Sequence, residues 1–143
     1  MKIAIGADHG GYQLKEKIVA QLIELGHEVE DVGCFGPESV NYPDYASQVC
    51  ERIEGAQAQR GILICGTGLG MSMAANRYPH VRAALCHESF SARLSREHNN
   101  ANVLCLGERV TGTELAADIV TVWLATEFAG GRHQSRIEKF SQC

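Results

Sequence analysis

The chain has 143 residues, 45% hydrophobic and 21% charged, with a formal net charge of -4 at neutral pH. That length suits one compact domain over residues 1–143, large enough to bury a core without disulfides or a structural metal. The composition excludes a disordered or membrane chain, and thirteen Lys and Arg against seventeen Asp and Glu exclude a general electrostatic pull toward nucleic acid.

Lys2–Ala7 is an apolar run and predicts a first strand. It meets Asp8 and His9 too early for a signal peptide, and no stretch approaches the roughly 20 apolar residues of a membrane span, so a cytoplasmic protein is expected. Amphipathic residues 11–25 predict a helix stopped by Gly26, and residues 27–33 a second strand. After a loop with Gly36-Pro37, residues 42–53 predict a helix, 61–65 a fully buried strand, and 68–77 the next helix, ended by Pro79. Residues 81–86 predict a fourth strand, Ser89–Glu97 a helix, 102–106 a fifth strand, and 113–128 a long helix carrying Leu115, Ile119, Val122 and Trp123. Gly130-Gly131 breaks it before a short basic C-terminal helix.

Short apolar runs alternating with amphipathic stretches imply an α/β fold, a single doubly wound domain around a five-stranded parallel sheet. Ligands gather at the carboxyl ends of such strands. Three clusters are expected there: Asp8-His9-Gly10-Gly11, Cys65 to Gly70, and Gly107-Glu108-Arg109. The six cysteines, at 34, 50, 65, 86, 105 and 143, include no Cys-x-x-Cys pair, which favours reduced thiols over disulfides or zinc.

Cys65 closes an apolar strand and is followed by Gly66-Thr67-Gly68-Leu69-Gly70 and then a helix. This order aims main-chain N–H groups and a helix N-terminus at the sulfur, which favours the thiolate and could stabilise an enediolate oxygen. Packing alone would also account for a buried Cys, although three alternating glycines suit close approach of a ligand. A Walker A loop needs Lys after its last glycine, where Met71 stands, and Met71 also occupies the third-glycine position of a dinucleotide fingerprint. Asp8 suits either acid–base work or a helix cap. His98 and Asn99 fall before the fifth strand, where surface and turn roles are equally open. Arg132 and Arg136 share one helix face and could grip a phosphate with Arg109, or simply be solvated.

Taken in order, Asp8-His9-Gly10-Gly11, Cys65 to Gly70, His98-Asn99, Gly107-Glu108-Arg109 and Gly130-Gly131-Arg132-His133-Gln134 with Arg136 resemble the ribose-5-phosphate isomerase B family, which includes allose- and galactose-6-phosphate isomerases. The resemblance spans essentially the whole chain. It implies a Rossmann-like three-layer α/β domain that interconverts ribose 5-phosphate and ribulose 5-phosphate through a cis-enediolate, without metal or nucleotide cofactor.

On this resemblance Cys65 is the base, Gly66, Thr67, Gly68, Leu69 and Gly70 hold the enediolate, and His98 opens the furanose ring, assisted by Asp8. His9 and Asn99 contact sugar or phosphate, and Arg109, Arg132 and Arg136 bind phosphate. The site is expected between subunits of a homodimer or dimer of dimers, some arginines coming from the partner. Met71 stands where a glutamate-dependent branch of the family has its base, which assigns this chain to the thiol type. Asn41 and Asn100 stand where Asp is usual. The alternatives are a six-carbon sugar-phosphate isomerase and a non-catalytic sugar-phosphate-binding module.

Overall fold

The structure is a computed structural model that describes residues 1–141; Cys143 lies outside the described residues. Five strands, β1 (Lys2–Ala7), β2 (Glu28–Asp31), β3 (Arg60–Cys65), β4 (Ala83–Leu85) and β5 (Val103–Gly107), form one parallel sheet in the order β2-β1-β3-β5-β4. Among the described residues six helices accompany them: α1 (Tyr12–Glu24), α2 (Tyr42–Glu54), α3 (Leu69–Ala75), α4 (Ser89–Glu97), α5 (Thr113–Ala125) and α6 (Arg132–Phe140). The expected α/β sheet is present, with β5 inserted between β3 and β4.

The period-2 alternation of strand side chains sorts the core into two layers. Ile3, Ile5, Ile62, Ile64, Leu104 and Leu106 face α1 and α5, where Leu14, Ile18, Ile119 and Trp123 are buried. Ala4, Leu63, Cys65, Val103 and Cys105 face α2 and α3, against Val49, Cys50, Met71 and Ala75. Strands covered on both faces need apolar residues at their buried positions, which is why β1 and β3 are apolar after their first residues, Lys2 and Arg60, and β5 is apolar throughout. Among the described residues the cysteines at 34, 50, 65, 86 and 105 are all free and buried. Burial pushes the Cys50 thiol up to about 12 and that of Cys105 well above the usual range.

Several elements are shorter than their sequence pattern. α3 stops at Ala75, before Pro79, because the Asn76 amide donates to the Ser72 and Ala83 carbonyls and accepts the Ala83 N–H. That side chain ends the helix and occupies main-chain groups of edge strand β4. α5 stops at Ala125 with an extended Thr126, whose carbonyl accepts from Arg96 Nε at 3.3 Å. Leu115 on this helix is 42% exposed, whereas Ile119 and Trp123 are fully buried.

The C-terminal helix α6 is bound differently from the rest. Of its nine residues only Ile137 is buried. One buried isoleucine supplies about 2 kcal/mol, and an isolated helix shorter than about 12 residues is marginal in water.

Candidate active site

In a sheet of order β2-β1-β3-β5-β4 the chain leaves β1 toward one edge and β3 toward the other. The crevice at this switch point is the favoured ligand site of an open parallel sheet. Asp8 follows β1, Cys65 ends β3, and Asp8 N–H donates to the Ile64 carbonyl at 3.2 Å. Arg109 follows β5, beside β3, and its N–H donates to the Gly66 carbonyl at 3.0 Å. The three loops named from sequence therefore meet at the carboxyl edge.

Glycines let these loops press together, backbone on backbone. A Cβ on Gly107 would sit 2.5 Å from the Thr67 carbonyl carbon, and one on Gly11 would sit 2.7 Å from that of Ile64. Gly68 adopts φ of 77°, and its N–H donates to Cys65 Sγ at 3.1 Å. The sulfur is thus held by a main-chain donor that suits negative charge. Thr67 is exposed and its Oγ1 accepts the Leu69 N–H at 3.3 Å, which orders the first turn of α3.

Asp8 is 8% exposed, and its Oδ1 accepts the Gly10 N–H at 2.8 Å. It shapes its own turn and does not cap α1, whose N-cap residue is Gly11 with no side-chain cap. His9 Nδ1 accepts the Val40 N–H at 3.2 Å. A main-chain N–H can only donate, so the neutral ring carries its proton on Nε2, which is left as a donor. Tyr42, absent from the sequence-derived set, packs its ring on Gly70, where a Cβ would lie 2.7 Å from Cζ. Its signal in the sequence was an aromatic residue opening a helix beside Pro43, which local pattern alone does not connect to Gly70.

His98, Asn99, Arg132 and Arg136 do not join this group. His98 is the C-cap of α4 and precedes β5, so it lies at the amino edge of the sheet. The Asn99 and Asn100 carbonyls accept from Arg82 Nε, in the residue before β4, and the Glu97 carbonyl accepts the Ala129 N–H at 2.9 Å. His133 stacks on His98, ring centroids 4.2 Å apart and planes within 7°. The length of β5, roughly 15 Å at 3.3 Å per residue, separates this cluster from Cys65 within one chain.

The amino edge is held by cations. Arg96 is 1% exposed, and its Nη1 donates to the Ala101 carbonyl and to Asn100 Oδ1, fixing a turn in which Asn100 has φ of 47°. Burial, then the nearby Arg60, lowers the Arg96 guanidinium to about 10, still charged at neutral pH. A cavity of about 470 Å³ also lies here, lined by Arg77, Tyr78, Arg82, Asn99 and Phe140. Neither Cys65 nor Asp8 borders it.

An open parallel sheet that brings a thiol, a carboxylate and an imidazole near its switch point is an α/β arrangement suited to small-molecule binding at the carboxyl edge. The chain belongs to the ribose/galactose isomerase family, whose model matches residues 3–140. It is 53% identical over 137 residues to ribose-5-phosphate isomerase B of Escherichia coli (strain K12), covering 96% of this chain and 92% of that protein. The structure of ribose-5-phosphate isomerase B of Clostridium thermocellum superposes with a TM-score of 0.98 at 56% identity, covering 99% of this chain and 96% of the other. D-erythrulose-4-phosphate isomerase of Pectobacterium atrosepticum is 44% identical over 141 residues, 97% of this chain and 92% of its own. No helix among the described residues is long and apolar enough to cross a membrane.

Proposed function

We propose that this chain interconverts D-ribose 5-phosphate and D-ribulose 5-phosphate, with Cys65 as the base. Family membership and the likeness to ribose-5-phosphate isomerases B support the reaction. The observation that carries the choice of base is the Gly68 N–H, held 3.1 Å from Cys65 Sγ. In the aldose-to-ketose direction the thiolate removes the C2 proton, and the freed electron pair forms the C1–C2 double bond of a cis-enediolate. A proton passes from O2 to O1, and the thiol then delivers its proton to C1. Main-chain N–H groups of residues 66–70 hold the developing oxyanion.

His98 is the proton donor that opens the ring, assisted by Asp8, and Asn99 contacts the sugar. Arg109, Arg132 and Arg136 hold the phosphate, with the Nε2 proton of His9 pointing to sugar or phosphate. Because His98, Asn99, Arg132 and Arg136 lie at the opposite edge from Cys65, one complete site takes its thiol from one copy and its acid and two arginines from a second. The weak hold of one chain on its own α6 supports the same homodimeric reading.

Cys65→Ala tests the base. We expect a folded variant with turnover lowered by about 10³-fold and no solvent deuterium entering product; retained activity would sink the assignment. Relatives acting on other chain lengths make sugar size a separate question, and rates on four-, five- and six-carbon phosphates answer it directly.

A further inference from the structure

We propose that Glu108 is a positioning residue that sets the loop carrying Asp8 and His9 against the thiol loop and Arg109. The inference rests on the reading of the carboxyl edge as the active site, and it concerns a residue to which that reading gives no role.

Its origin is a conflict at the start of α1. Helix N-termini favour Ser, Thr, Asp or Asn at the N-cap, because the side-chain oxygen accepts a main-chain N–H of the first turn. Here the N-cap is Gly11, and no side chain fits: a Cβ would sit 2.7 Å from both the carbonyl carbon and oxygen of Ile64. Close approach to β3 therefore excludes a local cap. Asp8, the nearest carboxylate in sequence, spends Oδ1 on Gly10 N–H.

The missing acceptor arrives from the end of β5, one strand beyond β3. Glu108 Oε2 accepts the Leu14 N–H at 3.0 Å across 94 residues of sequence. Leu14 is the third residue of α1, so the carboxylate occupies the place of an N-cap oxygen, with its charge at the positive end of the helix. The main chain of Glu108 is fixed as well: its N–H donates to the Cys65 carbonyl at 2.9 Å, and Arg109 N–H donates to that of Gly66 at 3.0 Å.

One residue thereby joins all three loops. Its main chain registers β5 on the thiol loop, and its side chain registers the entry of α1 on β5. The Asp8-His9 turn leads directly into that entry, through Gly11 N–H to the Asp8 carbonyl at 3.0 Å. Losing the carboxylate leaves the α1 entry free to drift relative to Cys65 and Arg109. Drift of about 1 Å between catalytic groups is enough to cost roughly 10²-fold in turnover.

The test compares Glu108→Gln, Glu108→Asp and Glu108→Ala in the full chain, with Val19→Ala as a control that weakens α1 away from the site; Val19 packs on the core as a partly buried residue. Positioning predicts that Glu108→Gln, which keeps an acceptor at the same reach, retains kcat within about threefold. Glu108→Asp, which keeps the charge but is one methylene short, loses roughly 10²-fold, as does Glu108→Ala, with smaller changes in KM. Val19→Ala lowers Tm without lowering kcat. If Glu108→Ala does not fold, the Asp and Gln pair decides alone. Unchanged kcat in Glu108→Asp, with Tm lowered as in Val19→Ala, would reduce Glu108 to a stabilising cap and overturn the proposal. Absence of isomerase turnover in the unmodified protein would overturn the active-site reading, a result distinct from unmodified turnover in the Glu108 variants.

Discussion

At the carboxyl edge of the sheet, main-chain donors and close-packed glycines hold the loops; at the amino edge, Arg82 and Arg96 hold the turn before β5, and His98 stacks on His133 of a helix in which Ile137 alone is buried. The first edge is complete in its geometry: Cys65 has its N–H donor, Asp8 its turn, and His9 its main-chain partner. The second edge has an excess of positive charge, with Arg60, Arg82, Arg96, Arg132 and Arg136 near Glu97 and Glu127. On the proposed reading, the thiol at one end and the cationic cluster at the other meet only when a second copy completes each site.

Inactivating each edge separately and mixing the products tests the division of the site between two copies. Cys65→Ala and His98→Asn homodimers should each be inactive or nearly so. Unfolding and refolding them together in equal amounts should restore about a quarter of unmodified activity, since half the dimers are mixed and each mixed dimer keeps one intact site. No recovery, with mixed dimers demonstrated by a size tag, would place the whole site within one chain.

A second experiment perturbs only the carboxyl edge. Gly68→Ala adds a Cβ at φ of 77°, 2.5 Å from Leu85 Cδ1 and 2.9 Å from the Leu106 carbonyl carbon. We expect a loss of about 3 kcal/mol in chemical denaturation. Activity should fall while dimer formation persists, because the donor to Cys65 moves and the amino edge does not.

The smallest effect belongs to the amino edge. Burial, then His98, Arg132 and Arg136, holds the His133 imidazole below its usual range, against the opposing pull of Glu97. The unfolded chain therefore binds this proton more readily than the folded one, so stability declines as pH falls below about 6.5. His133→Phe, which keeps a stacked ring, should flatten the dependence of Tm on pH between about 6.5 and 5. An unchanged slope would show that the stacked pair does not contribute to acid sensitivity.

The strongest patterns in the sequence were those with a local cause. β1, β3 and β5 are legible because burial on two faces demands apolar runs, and Gly66, Gly68 and Gly70 after Cys65 signal close backbone approach. Element ends were less legible, because distant partners set them: Asn76 pairs with Ala83 across the turn, and Arg96 takes the carbonyl of Thr126. Glu108 stood inside a recognised cluster, yet nothing local reveals that it caps a helix 94 residues away. Tyr42 and Arg96 escaped notice for the same reason.

The α/β class, the five strands, the thiol before a glycine loop and the resemblance to sugar-phosphate isomerases are legible in the amino-acid order, because periodicity and short motifs are properties of neighbouring residues. Tertiary structure alone decided the order β2-β1-β3-β5-β4 and the distribution of the polar residues between the two edges. A residue's edge follows from strand direction and helix length, so His98 and Cys65 fall at opposite ends of parallel strands.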